Sequence, residues 1–149
     1  MKLFQIEEPD GSPSDPDAPG AAIGIDVGGD LAEVAFAVGG NAVTLTDREG
    51  FERALPIPAP DAPLADWQAL FEGAKLRAER ALARPVTHAV LAFPAALDPA
   101  LAAELIRASE AAGIVLLRLV TSAELSPGEP PAEAAAVLAE DMAPRSLSP

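Results

Sequence analysis

The chain has 149 residues, half of them hydrophobic, which is enough for one domain with a sizeable core. Its 23 acidic and 10 basic residues give a formal net charge of -13, so nucleic acid and anionic membrane surfaces are not expected partners. The sequence has no cysteine, which excludes disulfides and thiolate chemistry, and no apolar run long enough for a secretory signal or a membrane span. We therefore expect a soluble cytoplasmic protein.

The first part of the chain joins a proline-rich arm to a set of short strands. Residues 7–20 combine proline, glycine and acid with little to bury, so residues 1–20 are predicted to form a flexible acidic arm. The apolar run at 21–27 predicts a buried strand, and residues 31–38 and 42–46 predict two more, separated by glycine-containing turns. Together these strands predict an antiparallel meander.

The middle of the chain begins with a connector. Prolines spaced through residues 54–63 exclude a helix or an interior strand and predict an extended segment. Apolar side chains at helical spacing over residues 64–82 predict a helix, with Asp61 as its cap and Pro85 after its end. The apolar residues 86–93 predict the next buried strand.

The last part of the chain continues this alternation. Asp98 is placed to cap a helix over residues 99–112, Gly113 ends that helix, and residues 114–120 predict a further buried strand. Residues 132–142 predict a final short helix.

This order of elements indicates a fold class. A three-strand meander followed by helix, strand, helix and strand predicts an α/β fold with a mixed sheet covered by helices, the layout of ribonuclease-H-like folds. We place this lobe at residues 21–126 and a proline- and alanine-rich tail at residues 127–149. Because a fold does not define an activity, function has to be argued from individual residues.

Two segments carry a recognisable pattern. The first is Ile23-Gly24-Ile25-Asp26-Val27-Gly28-Gly29. The second starts with a strand that ends in Phe93-Pro94-Ala95, continues through a helix that ends in Ala112-Gly113, and reaches a strand with Arg118 near its middle. The first resembles the opening strand and phosphate loop of the actin, sugar-kinase and DnaK-type superfamily, and the second resembles DnaK-type heat-shock chaperones (heat shock protein 70). The similarity covers roughly residues 22–126 and implies one lobe of an actin-like ATPase domain.

The resemblance implies a nucleotide site in the first segment. Asp26 matches the family's aspartate near the Mg²⁺ ion, which it would hold through water, and Gly28 and Gly29 let backbone amides approach a phosphate. Gly29 and Asp30 stand where the family carries threonines that contact phosphate. The implied cofactor is Mg-ATP or Mg-ADP.

Several departures from the family pattern imply that the site is degenerate. The Asp30 carboxylate repels phosphate unless a cation lies between them. Ser122 occupies the glutamate position of the family's asparagine-glutamate-proline-threonine turn, and the connector at 54–63 replaces the subdomain that carries the catalytic lysine. Pro94 matches the family's interdomain switch proline, but its arginine partner position is Ala102. We therefore expect no ATP hydrolysis by the isolated lobe.

Four hypotheses follow from these residues. The leading one is a degenerate DnaK-type lobe that acts as a nucleotide-binding or protein-interaction module. The second is half of a Mg-ATP hydrolysing cleft, completed by a partner chain or a second copy through the apolar face that a second lobe normally covers. The others are a sugar-kinase relative and a truncated remnant without activity. In a purely structural interpretation, residues 26–29 form an ordinary turn and Pro94 ends a strand.

Overall fold

The computed structural model describes residues 21–29, 31–45, 55–125 and 127–143. Outside these ranges lie the predicted arm at 1–20, Asp30, residue 46 of the predicted third strand, residue 54 of the predicted connector, residue 126 and the last part of the predicted tail, residues 144–149. The described elements follow the predicted order, which is thereby confirmed. In chain order they are β1 (Ala21–Asp26), β2 (Glu33–Val38), β3 (Asn41–Thr44), α1 (Leu64–Leu82), β4 (Val86–Phe93), α2 (Pro99–Ala111), β5 (Val115–Thr121), a short 3-10 turn (Ser122–Glu124) and α3 (Pro131–Met142).

The described strands form one five-stranded mixed sheet in the order β3-β2-β1-β4-β5. The first three strands pair antiparallel, with Ile25 opposite Val34, so the predicted meander is confirmed. β1, β4 and β5 pair in parallel, with Ile25 opposite Leu91. The predicted α/β fold, a mixed sheet covered by helices, is therefore present.

Helices cover both faces of the sheet. α1 and α2 pack together on one face, where Trp67, Phe71 and Leu105 are buried against Ile23 and Ile25 of the central strand. α3 packs on the opposite face, mainly against β1 and β2. Burial on both faces explains why the central strands are continuous apolar runs rather than alternating ones.

The ends of α1 differ in part from the prediction. The N-cap is Pro63, in an extended conformation, and no side chain caps the helix, so the prediction of Asp61 as the cap is wrong. Asp61 lies in a turn before Pro63, and the carbonyl of Pro63 accepts the first helical hydrogen bond from the Asp66 amide at 3.0 Å. At the other end Ala83 adopts a left-handed conformation, with φ of 57°, before Pro85.

The predicted limits of α2 are confirmed. The Asp98 side chain accepts a hydrogen bond from the Ala100 amide at 3.0 Å, and Pro99 occupies the first turn, where it removes no helical hydrogen bond. Gly113 follows the helix with φ of 88°, a conformation that favours glycine.

α3 lies unusually close to the sheet because small residues face each other. Its buried side chains are all alanines: Ala132, Ala134, Ala135, Ala136 and Ala139. Beneath them is Gly24 of β1, where a β-carbon would overlap the backbone of Ala132, Ala135 and Ala136. The close packing of α3 therefore requires a glycine at position 24.

Two carboxylates of α3 also hold the β2–β3 hairpin. Glu140 accepts hydrogen bonds from the amides of Gly39, at 2.6 Å, and Gly40, at 2.9 Å, and both glycines have positive φ angles. Glu133 accepts a hydrogen bond from the Thr44 hydroxyl at 2.8 Å and one from its amide at 3.2 Å. The final helix is therefore attached to the sheet by both polar and apolar contacts.

Within the described ranges, none of the helices combines the length and the apolar character needed to cross a bilayer.

Candidate functional site

The predicted site residues come together at one edge of the sheet. Because β1, β4 and β5 are parallel, their carboxyl ends lie side by side, and these ends carry Asp26, Pro94 and Ser122 respectively. The Val27 amide donates to the Ala92 carbonyl at 3.0 Å, and the Ser122 hydroxyl donates to the Phe93 carbonyl at 3.1 Å. Asp26 and Pro94, which are far apart in sequence, therefore belong to one local structure.

Asp26 is one of two buried polar residues in the described part of the chain, with 7% of its surface exposed. Its Oδ1 atom accepts a hydrogen bond from the Gly28 amide at 2.9 Å, which closes a tight turn directly after β1. One of the two glycine amides that the resemblance assigns to phosphate is therefore already bound to the Asp26 carboxylate. In this structure, the Asp26 carboxylate stabilises the conformation of its own loop through this hydrogen bond.

The two loop glycines have different roles. A β-carbon on Gly28 would lie 3.2 Å from Asp26 Oδ1 and 3.7 Å from the Pro94 Cβ atom, so Gly28 is the point where the two predicted segments meet. Gly29 is exposed, and among the described residues a β-carbon there would meet only the Leu31 carbonyl, at 3.9 Å. Neither glycine has a positive φ angle. Neither packing nor backbone conformation therefore requires a glycine at position 29.

Pro94 is exposed and follows a strand whose last residue packs into the core. The Phe93 ring lies 6.2 Å from the ring of Trp67, with 31° between the ring planes. Trp67 is 1% exposed, and its Nε1 atom has no hydrogen-bond partner among the described residues. Trp67, the sequence's only tryptophan, therefore lies close to the loop that carries Pro94.

The other residues implied by the resemblance contribute little here. Ser122, at the position that the resemblance assigns to a glutamate, has no carboxylate, and its hydroxyl donates to the Phe93 carbonyl. Ala102 lies in α2 and gives Pro94 no charged partner. Asp30, the remaining predicted nucleotide-binding residue, lies outside the described ranges.

Asp26 offers a metal ion one carboxylate. No group of three or more histidine, cysteine, aspartate or glutamate side chains suited to a metal occurs among the described residues. A Mg²⁺ ion at Asp26 would therefore take most of its ligands from water and phosphate, as is common for magnesium in nucleotide sites.

A second concave region lies along α3 and was not predicted from the sequence. This region, the α3 groove, has a volume of about 330 Å³ and includes three carboxylates, Glu124, Glu129 and Asp141, and one cation, Arg118. Its other lining residues are Gly40, Val120, Leu125, Ala134, Val137 and Leu138. The helical spacing of positions 134, 138 and 141 could have indicated that they share one face of a helix. The sequence does not show that this face lies beside β5, which is seen only in the folded structure.

Comparisons with known proteins leave the family open. The sequence matches no model of a known protein family, and no curated protein matches it significantly.

Proposed function

We propose that this protein is a single, degenerate actin-like ATPase lobe of the DnaK type that binds a nucleotide through Mg²⁺ and does not hydrolyse it alone. The observation that carries the proposal is the meeting of the Asp26 turn and the Pro94 turn at Gly28, on the carboxyl edge of three parallel strands. In open α/β sheets, ligands bind in the crevice outside the carboxyl ends of the strands.

The arrangement of the sheet supports the finer fold assignment. The order β3-β2-β1-β4-β5, in which β2 alone runs against the other described strands, is the arrangement expected for a ribonuclease-H-like lobe. Helices on both faces leave the strand ends as the natural place for a ligand. The proposed nucleotide therefore lies where the topology favours a site.

Gly29 supports a ligand at this edge. Its exposure and the free space around it allow the backbone to approach a phosphate closely, which is a common use of glycine in phosphate loops. Asp26 supplies a fixed negative charge beside that loop. A carboxylate and a phosphate attract each other only through a cation, so the proposal requires Mg²⁺.

The expectation that the isolated chain does not hydrolyse ATP rests on the groups near the loop. Phosphoryl transfer needs positioned cations and a group that orients the attacking water. Among the described residues at this edge, Asp26 is bound to Gly28 and Ser122 to Phe93, and neither the turn at residues 26–29 nor the turn at residues 93–95 contains a lysine or an arginine. We expect binding without catalysis.

The test is calorimetric titration of the full chain with Mg-ATP, Mg-ADP and each nucleotide in EDTA. We expect a Kd tighter than about 100 μM, or about -5.5 kcal/mol, that requires Mg²⁺. Asp26→Asn keeps an oxygen for the Gly28 amide but removes the charge, so binding should weaken about tenfold or more. Asp98→Asn is the matched control, because Asp98 also accepts a hydrogen bond from a backbone amide but lies at the start of α2.

Either of two results would reject the proposal. The first is no detectable binding by a folded chain, judged by circular dichroism. The second is equal affinity in the wild type and Asp26→Asn. Emission from Trp67 gives an independent readout, since its ring contacts the residue before Pro94.

A composite Mg-ATP cleft is the second candidate, and the exposure of the loop favours it. Gly28 and Gly29 are both exposed on the surface of the lobe, so they can contact phosphates but do not enclose an adenosine. A partner chain would then supply the adenosine pocket. ATP turnover that appears only when a second chain is added would establish this candidate.

A further inference from the structure

We propose that the edge of β5 that has no strand neighbour among the described residues, together with the adjoining α3 groove, binds an extended peptide rich in lysine or arginine. The site is separate from the Asp26 loop and does not depend on the proposed nucleotide. It rests on this edge of β5, the groove beside it, and the charge of the groove.

β5 is the last strand of the sheet among the described residues, where its one strand neighbour is β4. An edge strand presents backbone donors and acceptors that a further strand can pair with. The pairing of β4 with β5 shifts at Leu117, which is left as an extra residue, and then runs regularly from Arg118 to Thr121. This stretch of four residues after the bulge offers regularly spaced backbone groups to an added strand.

The α3 groove lies on the same side as Arg118 and Val120 of that stretch. Apolar side chains of Val120, Leu125 and Leu138 line it and provide contacts for alternate side chains of an added strand. A peptide paired with β5 would therefore place every second side chain in the groove.

The charge of the groove selects the occupant. Glu129 and Asp141 are exposed acids, and Glu124 lies 3.8 Å from the guanidinium of Arg118, which it partly neutralises. The whole chain carries a formal charge of -13, so its field also attracts a basic ligand.

A second copy of the chain fits the edge poorly. Two copies, each with a formal charge of -13, repel each other, whereas the same charge attracts a basic peptide. The charges thus favour a basic peptide over self-association.

The test uses the full chain and a fluorescently labelled peptide, Val-Lys-Val-Lys-Val-Lys-Val, with Val-Glu-Val-Glu-Val-Glu-Val as its charge-reversed counterpart. Fluorescence anisotropy should show that the lysine peptide binds about tenfold more tightly than the glutamate peptide. A lysine peptide with N-methylated backbone amides should lose most of the binding, since it cannot pair as a strand. In NMR spectra, β5 amides should shift and α2 amides should not.

Charge reversal on the protein tests the groove. Glu129→Lys and Asp141→Lys should each weaken binding of the lysine peptide about fivefold. Glu110→Lys makes the same change on the exposed surface of α2, across the sheet, and should leave the affinity nearly unchanged. Comparable weakening in all three variants would show only long-range attraction and would overturn the proposal.

Other results would also overturn it. Equal affinity for the two peptides would exclude a charge-selected site. Concentration-dependent shifts of β5 amides without peptide, together with a dimer in sedimentation, would assign the edge to a second copy.

Discussion

Glu79 connects α1 to the start of β4 through a single oxygen. Its Oε2 atom accepts hydrogen bonds from Lys75 Nζ at 2.7 Å and from the Val86 amide at 2.9 Å. Burial by itself would raise the pKa of Glu79, but the hydrogen bonds from Lys75 and Val86 and the charge of Lys75 outweigh it, so the pKa lies below the ordinary 4.5. The ionised carboxylate therefore stabilises the folded state.

We predict that Glu79→Gln lowers the free energy of unfolding by about 0.5–1 kcal/mol near neutral pH, because the pair is partly exposed and screened by solvent. In the wild type this contribution is complete above pH 4.5 and is lost as the pH falls through the lower folded pKa. When urea unfolding is measured from neutral to acid pH, the free energy of unfolding should therefore fall less in Glu79→Gln than in the wild type. Glu72→Gln, an exposed change on the same helix, should have little effect, and an equal loss in both variants would contradict the assignment.

His88 is the sequence's only histidine and lies half-buried in β4. Burial lowers its pKa below 6.5, so the folded state takes up a proton less readily than the unfolded state. We predict that stability falls as the pH drops below 6.5, by less than about 1 kcal/mol in total. Thermal unfolding measured at a series of pH values from about 7.5 down through 6.5 should show this fall in stability in the wild type and not in His88→Gln. The same fall in both proteins would reject the prediction.

Among the elements, α3 depends most on small residues. We predict that Gly24→Ala lowers stability by about 3 kcal/mol, because the added methyl meets helix backbone that cannot move aside alone. Gly29→Ala, at an open position in the next turn, should change stability by less than about 0.5 kcal/mol. Chemical denaturation of both variants gives the comparison, and a small effect at Gly24 would mean that α3 is held less closely than described.

The polar attachment of α3 can be tested separately. Gln at position 140 can accept from one glycine amide but not from both, since its other terminal group is a donor. We predict that Glu140→Gln speeds hydrogen exchange at the Gly39 and Gly40 amides about tenfold. Glu110→Gln on α2 is the control, and unchanged exchange in Glu140→Gln would show that water replaces the carboxylate without cost.

Most elements could be predicted from the sequence because their signals are local. Strand β4 and helix α1 have the predicted limits, since the apolar runs and flanking prolines act over a few residues. The prediction that Asp61 caps α1 is wrong. Pro60 and Pro63 constrain the backbone around Asp61, and the helix begins after Pro63 without a side-chain cap. The position of α3 was not predictable from the sequence. An alanine-rich segment predicts a helix, but it does not show that this helix packs against Gly24, which is more than 100 residues away in the chain.

The candidate site was predictable only in part. The sequence predicted a mixed sheet, but the parallel pairing of β1 with β4, which brings Asp26 next to Pro94, is seen only in the structure. The hydrogen bond from the Gly28 amide to Asp26 was not foreseen, because a sequence does not show which acceptor an amide chooses. The α3 groove joins residues from distant segments, so no local pattern reveals it.

At the scale of the molecule, two of the described helices cover one face of the sheet, and α3 is the described helix that covers the other. We predict that a chain ending at Leu125 loses cooperative unfolding, because apolar side chains such as Ala22, Val90 and Ala92 would be exposed on the uncovered face. Trp67 fluorescence and far-ultraviolet circular dichroism followed during denaturation provide the measurement. A single sharp transition in the shortened chain would show that α3 is dispensable for folding.

The alanine packing of α3 also has a thermal consequence. Alanine methyl groups remove little apolar surface from water, whereas the opposite face of the sheet buries a tryptophan, a phenylalanine and several leucines. Since the heat capacity of unfolding scales with apolar surface, most of it belongs to the side covered by α1 and α2. Cooling weakens the stabilisation that comes from hydrophobic burial, so the side of the sheet covered by α1 and α2 loses stability faster at low temperature. α3 is held by close contacts and carboxylate hydrogen bonds, so its packing is the part that low temperature affects least.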